Sequence, residues 1–236
     1  MHQSLKDVLF VTDMDGTLLT KDKRITQENL TAIDRFRRQG GNFSVASGRS
    51  IPSFRHYAEL LKLNCPVILY NGVAIYDYRT EQLLWHTSLD DRAYHYMKLV
   101  HDHFPHIAIE ILTEKTIYVL HHNEFSKQHL VTEHLNFTEL VWDELDTIPG
   151  DWFKVLYALP SERMEELSGF LKDKRSDGVY YVRSDRHYYE MLPEGSSKGN
   201  ALMHLADLLE IPKERTVGIG DYYNDFELIR QAGTGI

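Results

Sequence analysis

Short β-rich runs alternate with helical patterns along this chain, and this alternation constrains the fold more than any other feature of the sequence. Residues 8–11 lead into the polar turn Thr-Asp-Met-Asp-Gly-Thr, residues 43–46 into Ser-Gly-Arg, and residues 67–70 into Asn-Gly. Strands that alternate with helices predict an α/β protein with a mainly parallel sheet. Ligands bind beyond the carboxyl ends of the strands in such a sheet, so the polar turns are expected to meet at one edge.

The middle of the chain differs from its two ends in composition. From about residue 81 to about residue 189 the sequence is rich in His, Tyr and Trp and lacks short polar turns of this kind. The first pattern resumes with a predicted helix over 198–209, a strand over 216–219 and another polar turn. We therefore predict a Rossmann-like parallel-sheet core of residues 1–80 and 190–236, with an inserted α/β cap domain over 81–189.

Composition disfavours several classes of partner. The chain has 236 residues, with 26 Lys and Arg against 35 Asp and Glu, and its formal net charge of −9 disfavours nucleic acid or an anionic membrane. The N-terminus has no apolar signal segment and no apolar run approaches bilayer length, so we expect a cytoplasmic protein. The single cysteine, Cys65, has no internal disulfide partner and is expected to be a buried, inert thiol. The sequence leaves the oligomeric state open.

Four polar segments carry side chains suited to phosphoryl-transfer chemistry. They are Asp13-Met14-Asp15-Gly16-Thr17, Ser47-Gly48-Arg49, Lys198, and Gly220-Asp221-Tyr222-Tyr223-Asn224-Asp225. One carboxylate can attack phosphorus to form an aspartyl-phosphate, and a second can protonate the leaving oxygen and later deprotonate water. Asp13 and Asp15 lie on either side of one residue in a turn, so they can divide these tasks between them.

This chemistry also needs a cation, because an anionic nucleophile and a phosphate dianion repel each other. Mg²⁺ prefers carboxylates, a substrate oxygen and water as ligands. Asp221, with Asp225, can complete an acidic pocket for the ion. Lys198 and the Ser47 hydroxyl can hold the oxygens of the transferring phosphoryl group.

The four segments, in this order, resemble the four motifs of the haloacid dehalogenase superfamily. Within it the chain is similar to the Cof-type phosphatases, whose large α/β cap is inserted between the second and third motifs. The resemblance implies that Asp13 is the nucleophile and Asp15 the general acid/base. It also implies that Mg²⁺ is held by the carboxylates of Asp13 and Asp221 and by the backbone carbonyl of Asp15, with Asp225 in support.

The same resemblance implies a set of phosphate-binding residues and a class of substrate. The phosphoryl group would be bound by Ser47, Gly48, Lys198 and Asn224. The turn at residues 71–72 resembles the short turn before the cap and is a weaker candidate for contact. The expected reaction is hydrolysis of a small phosphate monoester, a sugar phosphate or a phosphorylated cofactor such as a flavin or pyridoxal phosphate.

Two features depart from the family pattern. Tyr222 stands where a small or polar residue is more usual, which predicts a crowded fourth loop. Residues 232–236 resemble the start of another strand, and the family normally continues from this segment into a further strand and a closing helix. The core sheet is therefore expected to be unfinished in the sequence as it stands.

Other functions compete with hydrolysis. A phosphomutase or phosphotransferase of the same superfamily shares the first half of the chemistry, and phosphoglycolate and nucleotide substrates stay open. A protein that binds a phospho-ligand without turnover can use the same acidic pocket. Asp15 argues against that alternative, because such a site needs no acid/base beside the nucleophile.

The middle of the chain offers weaker candidates. Its histidines suggest a metal site only loosely, because His101 and His103 on one helix would point apart. The other histidines considered are His106, His121, His122, His129 and His134. Lys154 is a candidate for substrate contact, as is half of an alternating aromatic stripe whose other half is expected in the core. The stripe consists of Tyr180, Tyr181, Tyr188 and Tyr189.

Overall fold

The computed structural model describes residues 5–132, 136–172 and 178–236, and these divide into two compact units. The first unit contains the described residues up to Arg49, together with Phe54–His86 and Ser196–Ile236. The second contains Ser50–Ser53 and Thr87–Gly195. The units divide at 86/87 and 195/196, whereas the sequence prediction placed the borders at 80/81 and 189/190.

A four-stranded parallel sheet forms the centre of the first unit, with the strand order β13-β12-β1-β2. The strands are β1 (Leu9–Thr12), β2 (Asn42–Val45), β12 (Thr216–Ile219) and β13 (Thr234–Gly235). Thr12 pairs with Val45 on one side and Ile219 on the other, so three neighbouring strands end at the same level. The segments that follow these strands therefore leave the sheet at one edge. The prediction that residues 232–236 begin a strand is confirmed by β13.

A smaller antiparallel sheet and four helices complete the first unit. The strands are β3 (Val67–Leu69), β4 (Ala74–Asp77) and β5 (Gln82–His86), and the helices are α1 (Gln27–Arg38), most of α2 (Ile51–Leu61), α6 (Lys198–Leu208) and α7 (Phe226–Gln231). β3 pairs antiparallel with β4 and meets the end of β2 through a single parallel bridge between Ala46 and Ile68. This bridge holds the turn after β3 close to the turn after β2.

Apolar side chains of the strands and helices bury each other in the first unit. Leu9 and Val11 of β1 share a core with Leu202 and Leu205 of α6 and with Leu228 of α7. Burial of such a side chain stabilises the fold by about 1.5–3 kcal/mol. The packing holds α6 and α7 against the sheet, which positions the residues at the start of α6. Cys65 is buried in the same core, as predicted.

The second unit is built on a six-stranded mixed sheet with the order β10-β11-β9-β6-β7-β8. Its strands are β6 (Ala108–Leu112), β7 (Ile117–His121), β8 (Phe137–Glu139), β9 (Lys154–Ala158), β10 (Val179–Arg183) and β11 (Tyr188–Pro193). Its helices are α3 (Arg92–His103), α4 (Glu124–Thr132) and α5 (Met164–Leu171). A parallel-sheet unit and a separate mixed-sheet unit confirm the predicted α/β class.

One face of the mixed sheet packs against helices to form a second core. Alternate residues such as Ile109, Val155, Tyr181 and Tyr189 are buried there with Leu167 of α5. Because side chains alternate between the two faces of a strand, their neighbours belong to the opposite face. Half of the aromatic stripe therefore lies in this core, as the alternation predicted. No helix among the described residues is long and apolar enough to span a membrane.

Candidate active site

The first motif leaves the sheet directly after β1. The backbone N–H of Asp13 donates to the carbonyl oxygen of Ile219 over 2.8 Å, which carries the β1–β12 pairing one residue beyond the strand. Met14 is fully buried, and its carbonyl oxygen accepts from the backbone N–H of Leu19. This hydrogen bond and the buried side chain fix the conformation of the loop. Asp13 is thus held at the carboxyl edge of the parallel sheet, where the sequence predicted a ligand site.

Lys198 reaches this edge from the start of α6. The Ser197 side chain accepts from the backbone N–H of Asn200, which fixes where the helix begins. Lys198 Nζ then donates to Asp13 Oδ1 over 2.5 Å and to Asp225 Oδ1 over 2.6 Å. Burial by itself would lower the pKa of Lys198. The two carboxylates outweigh burial and raise this pKa above its ordinary value, so the ammonium stays charged.

Asp13 is buried, and its second carboxylate oxygen, Oδ2, has no hydrogen-bond partner among the described residues. Burial raises the pKa of Asp13 to about 6 against the opposing effect of Lys198, and the nearby charge of Asp225 adds to the rise. At neutral pH the carboxylate is therefore ionised but incompletely compensated. Such a group is unfavourable in a fold unless a cation or a ligand joins it.

The fourth motif brings two more carboxylates to the same place. Asp225 Oδ2 accepts from the backbone N–H groups of Asp221 and Tyr222, each over 3.2 Å, which shapes the loop after β12. Carboxylate oxygens of Asp13, Asp221 and Asp225 all lie within 4.8 Å of one another. Gly16, at φ +100°, makes this approach possible, because a Cβ on it would lie 2.5 Å from Asp221 Oδ2.

These three carboxylates fit a hard divalent cation. Oxygen donors are the ligands that Mg²⁺ prefers, and the single positive charge of Lys198 does not balance three carboxylates. No other group of three His, Cys, Asp or Glu residues with such spacing occurs in the described part of the chain, so the histidine hypothesis gains no support there. His134 lies outside the described residues.

The Asp15 side chain does not join this trio but binds two cations instead. Arg49 donates to it through both Nε and Nη2, over 3.0 Å and 2.9 Å, and Lys23 Nζ donates over 2.6 Å. Burial by itself would raise the pKa of Asp15. Arg49, and to a smaller extent Lys23, outweigh burial and lower this pKa below its usual range. Arg49 belongs to the second polar segment, but the sequence alone predicts no role for it, and no local sequence pattern indicates Lys23.

The remaining predicted residues lie on the neighbouring turns. Ser47 is buried, and its hydroxyl accepts from the backbone N–H of Arg49 over 3.2 Å. Asn224 Nδ2 donates to Asn71 Oδ1 over 3.0 Å, and a Cβ on Gly48 would lie 3.0 Å from the Asn71 amide. The second and fourth motifs therefore both meet the turn after β3, which the sequence had ranked as a weaker candidate.

Two further candidates from the middle of the chain lie in the second unit. Lys154 Nζ forms a buried ion pair with Glu190 Oε1 over 2.9 Å. The hydroxyl of Tyr188 donates to the backbone carbonyl of Phe125 over 3.3 Å. Both side chains therefore have partners within their own unit, and their assignment to substrate contact stays a prediction.

Known proteins are similar to this chain in sequence and in architecture. A family model described as haloacid dehalogenase-like hydrolase matches residues 10–236. The phosphatase YitU of Bacillus subtilis, named for 5-amino-6-(5-phospho-D-ribitylamino)uracil, is 26% identical over 238 residues, which cover 98% of this chain and 86% of that protein. The pyridoxal phosphate phosphatase YbhA of Escherichia coli is 23% identical, with 95% of this chain and 85% of that protein covered.

Solved structures agree with these sequence matches. A haloacid dehalogenase-like hydrolase from Bacillus subtilis superposes with a TM-score of 0.84 at 26% identity, covering 95% of this chain and 87% of that one. Another from Bacteroides thetaiotaomicron, at 23% identity, has the same fold with a TM-score of 0.84, covering 97% and 86%. The relatives named for their activity are phosphatases, and this chain is a phosphatase as well. From its matched family, its fold and its four motifs, the chain belongs to the haloacid dehalogenase-like hydrolases.

Proposed function

We propose that this phosphatase hydrolyses small phosphate monoesters through an aspartyl-phosphate on Asp13, with Mg²⁺ as its cofactor. The observation that carries the proposal is the cluster at the sheet edge. Three carboxylates have oxygens within 4.8 Å of one another, and a buried lysine touches two of them. A structural ion pair needs no such excess of negative charge. A metal ion that assists phosphoryl transfer does need it, because carboxylates are its ligands.

The proposed metal ligands are residues of the first unit. Asp13, Asp221 and Asp225 offer the carboxylates, and the family resemblance adds the backbone carbonyl of Asp15. When bound there, Mg²⁺ offsets the negative charge of the nucleophile and of the phosphoryl oxygens. The first unit is accordingly the proposed catalytic core, and the second unit, over residues 87–195, is the proposed cap.

Asp13 performs the covalent steps in this proposal. One of its carboxylate oxygens attacks phosphorus, so that a new P–O bond forms while the ester P–O bond breaks and the leaving oxygen takes a proton from Asp15. A water molecule then attacks the same phosphorus, gives its proton to Asp15, and releases phosphate and the free Asp13 carboxylate. Lys198, already beside Asp13, stabilises the negative charge throughout.

Asp15 can act as an acid only if its environment changes. Arg49 and Lys23 hold it as a carboxylate and lower its pKa, so a proton on Asp15 requires release of at least one of these contacts. We propose that arrival of the substrate dianion draws one of the cations away. Ser47, Gly48, Lys198 and Asn224 are the proposed phosphoryl-binding residues.

The relatives support a substrate class of phosphorylated metabolites. Relatives of this chain are named as phosphatases for pyridoxal phosphate, for a phosphoribitylaminouracil and for HMP-PP. By analogy we propose a sugar phosphate or a phosphorylated cofactor, hydrolysed in the cytoplasm. The net charge of −9 favours such a small substrate over nucleic acid or an anionic membrane as the partner.

Rapid-quench kinetics with p-nitrophenyl phosphate test the division of labour between the two aspartates. The p-nitrophenolate leaving group scarcely needs a proton, so Asp15→Asn should still allow attack by Asp13 but slow the water step. We expect a burst of about one equivalent of product per enzyme, with a matching mass gain for the phosphoenzyme. With an alkyl phosphate, both steps need Asp15 and the burst should shrink or vanish.

Two variants of the same loop serve as controls. Asp13→Asn should show neither burst nor mass gain, because the attacking carboxylate is gone. Asp22→Asn changes an exposed aspartate that binds Thr20 and Arg24, and it should behave like the wild type. A folded, Mg²⁺-binding Asp15→Asn variant without burst or mass gain would show that the assigned roles are wrong.

A further inference from the structure

The turn after β3 has an unusual backbone. Tyr70, Asn71 and Gly72 follow one another with φ values of 52°, 58° and 96°. Left-handed backbone is unfavourable for a non-glycine residue, and for a bulky one such as Tyr70 especially. Tyr70 and Asn71 are nevertheless 0% and 2% exposed. Strained, buried backbone persists only where its surroundings enforce it, and it is concentrated at functional sites.

The surroundings of this turn include the loop of the second motif. The backbone N–H of Tyr70 donates to the carbonyl oxygen of Arg49 over 3.1 Å, and that of Asn71 donates to the carbonyl oxygen of Ser47 over 3.0 Å. Both ends of the Ser47–Arg49 segment are therefore bonded to the turn. The left-handed conformation directs these two successive N–H groups toward one loop.

The third and fourth motifs meet the same turn. A Cβ on Gly72 would lie 2.1 Å from the carbonyl oxygen of Ser197 and 2.7 Å from the backbone nitrogen of Lys198, so only glycine fits against the start of α6. Asn71 Oδ1 accepts from Asn224 Nδ2 over 3.0 Å. Three motif loops, far apart in sequence, thus touch one three-residue turn.

We propose that Asn71 is a positioning residue of the active site, which orients the Asn224 amide while its backbone holds the Ser47 loop. The inference rests on the proposed function, because positioning has meaning only for a site that handles a phosphoryl group. Asn71 is suited to the task, since asparagine is one of the few non-glycine residues that tolerate left-handed backbone, and its side chain carries an amide. If the turn were purely structural, substitution of Asn71 would lower stability, and its effect on kcat would not depend on whether Asn224 is present.

The substitution Asn71→Gly tests the side chain alone, because glycine adopts a φ near 58° without strain. We expect kcat for p-nitrophenyl phosphate with Mg²⁺ to fall by about 10–100-fold, the usual loss when a partner of a site residue is removed. In the Asn224→Ala background the same change should cost less than about threefold, because the partner is already absent. Glu210→Gly is the matched control, since Glu210 is exposed and has a φ of 55° outside the site, and its kcat should not change.

Calorimetric binding of inorganic phosphate in the presence of Mg²⁺ gives a second readout. Asn71→Gly should weaken phosphate binding by about tenfold in the wild-type background and much less in the Asn224→Ala background. Equal losses in both backgrounds, or an unchanged kcat and unchanged phosphate affinity in folded Asn71→Gly, would overturn the inference. A wild-type chain that binds phosphate without turnover refutes the proposed function while the binding cycle still decides the role of Asn71. A wild-type chain that neither turns over p-nitrophenyl phosphate nor binds phosphate overturns both, whereas a chain with turnover but weak phosphate binding leaves the kcat cycle to decide the role of Asn71.

Discussion

Both units of the protein bury a lysine against carboxylates, and the two environments differ in charge. In the first unit Lys198 contacts Asp13 and Asp225, with Asp221 beside them. In the second unit Lys154 contacts Glu190, whose Oε1 also accepts from the Ser184 hydroxyl over 2.7 Å. Lys198 contacts two carboxylates with a third close by, whereas the ion pair of the second unit joins one lysine to one carboxylate.

Burial of an ionisable group therefore does not by itself identify a site in this protein. An unpartnered carboxylate oxygen does not identify one either, because buried Glu110 in the second unit also has one while its other oxygen lies 2.7 Å from His129 Nδ1. The distinguishing property is a surplus of like charge held at the end of parallel strands. Such a surplus of negative charge destabilises the fold unless a bound cation offsets it.

Replacing each lysine by methionine gives the largest expected contrast. Lys198→Met should lower kcat for p-nitrophenyl phosphate by about 10³-fold, because a preorganised cation at the proposed phosphoryl-binding site is lost. Lys154→Met should leave kcat within about threefold but lower the free energy of unfolding by about 3–5 kcal/mol, because the Glu190 carboxylate would stay buried without the positive charge of the lysine. Activity assays and urea denaturation measure the two effects.

The double substitution Lys154→Met with Glu190→Met keeps this test usable if the single variant fails to fold. Replacing both members of a buried pair by apolar side chains is often neutral for stability. A folded double variant with a loss of kcat as large as that of Lys198→Met would break the comparison, because it would place the second lysine in the chemistry of the site.

Removal of one proposed metal ligand should have the next largest effect. Asp221→Ala should weaken Mg²⁺ binding by about 10–100-fold and lower turnover at limiting Mg²⁺, since one of three converging carboxylates is gone. Asp185→Ala changes an exposed aspartate of the second unit and should leave Mg²⁺ affinity unchanged. Calorimetry and metal titration of turnover measure the outcome, and full wild-type activity in excess EDTA would exclude the metal hypothesis.

A pair of glycines separates crowding at the site from backbone strain. Gly16→Ala and Gly195→Ala both place a side chain at positive φ, +100° and +78°, but only the first Cβ would collide with Asp221. Each should lose about 1–2 kcal/mol of stability from the backbone. Gly16→Ala should in addition weaken Mg²⁺ binding by about tenfold, because Asp221 has to move. Equal Mg²⁺ affinities of the two variants would show that this contact does not matter.

The dependence of metal binding on pH is the smallest effect expected. Because the pKa of metal-free Asp13 is raised to about 6, the metal-free fold favours the protonated carboxyl, and this contribution to stability is lost as the pH rises through about 6. Mg²⁺ needs the ionised form, so its affinity should fall about fourfold between about pH 7 and about pH 5.5. Asp13→Asn should remove this part of the pH dependence of Mg²⁺ affinity. Calorimetry at several pH values measures it, and an unchanged pH dependence in the variant would show that Asp13 is not the group responsible.

The sequence by itself carried the candidate chemistry of the first unit. An apolar strand followed by Asp-Met-Asp-Gly-Thr places carboxylates at a strand end, and α6 begins at Lys198 because Ser197 caps it. Local hydrogen bonding and the alternation of apolar residues determine such features, so they can be read from neighbouring residues. The clustering of Asp13, Asp221 and Asp225 followed from the order of strands and turns.

Only the tertiary structure separated the two aspartates of the first motif and connected the turn after β3 to the site. The Asp15 carboxylate lies with Arg49, 34 positions later, and Asn71 with Asn224, 153 positions later. The buried ion pair of Lys154 likewise depends on Glu190 of an adjacent strand. Which cation meets which carboxylate is decided by strand register and by turn geometry across long sequence separations, where no local pattern distinguishes one charged side chain from another.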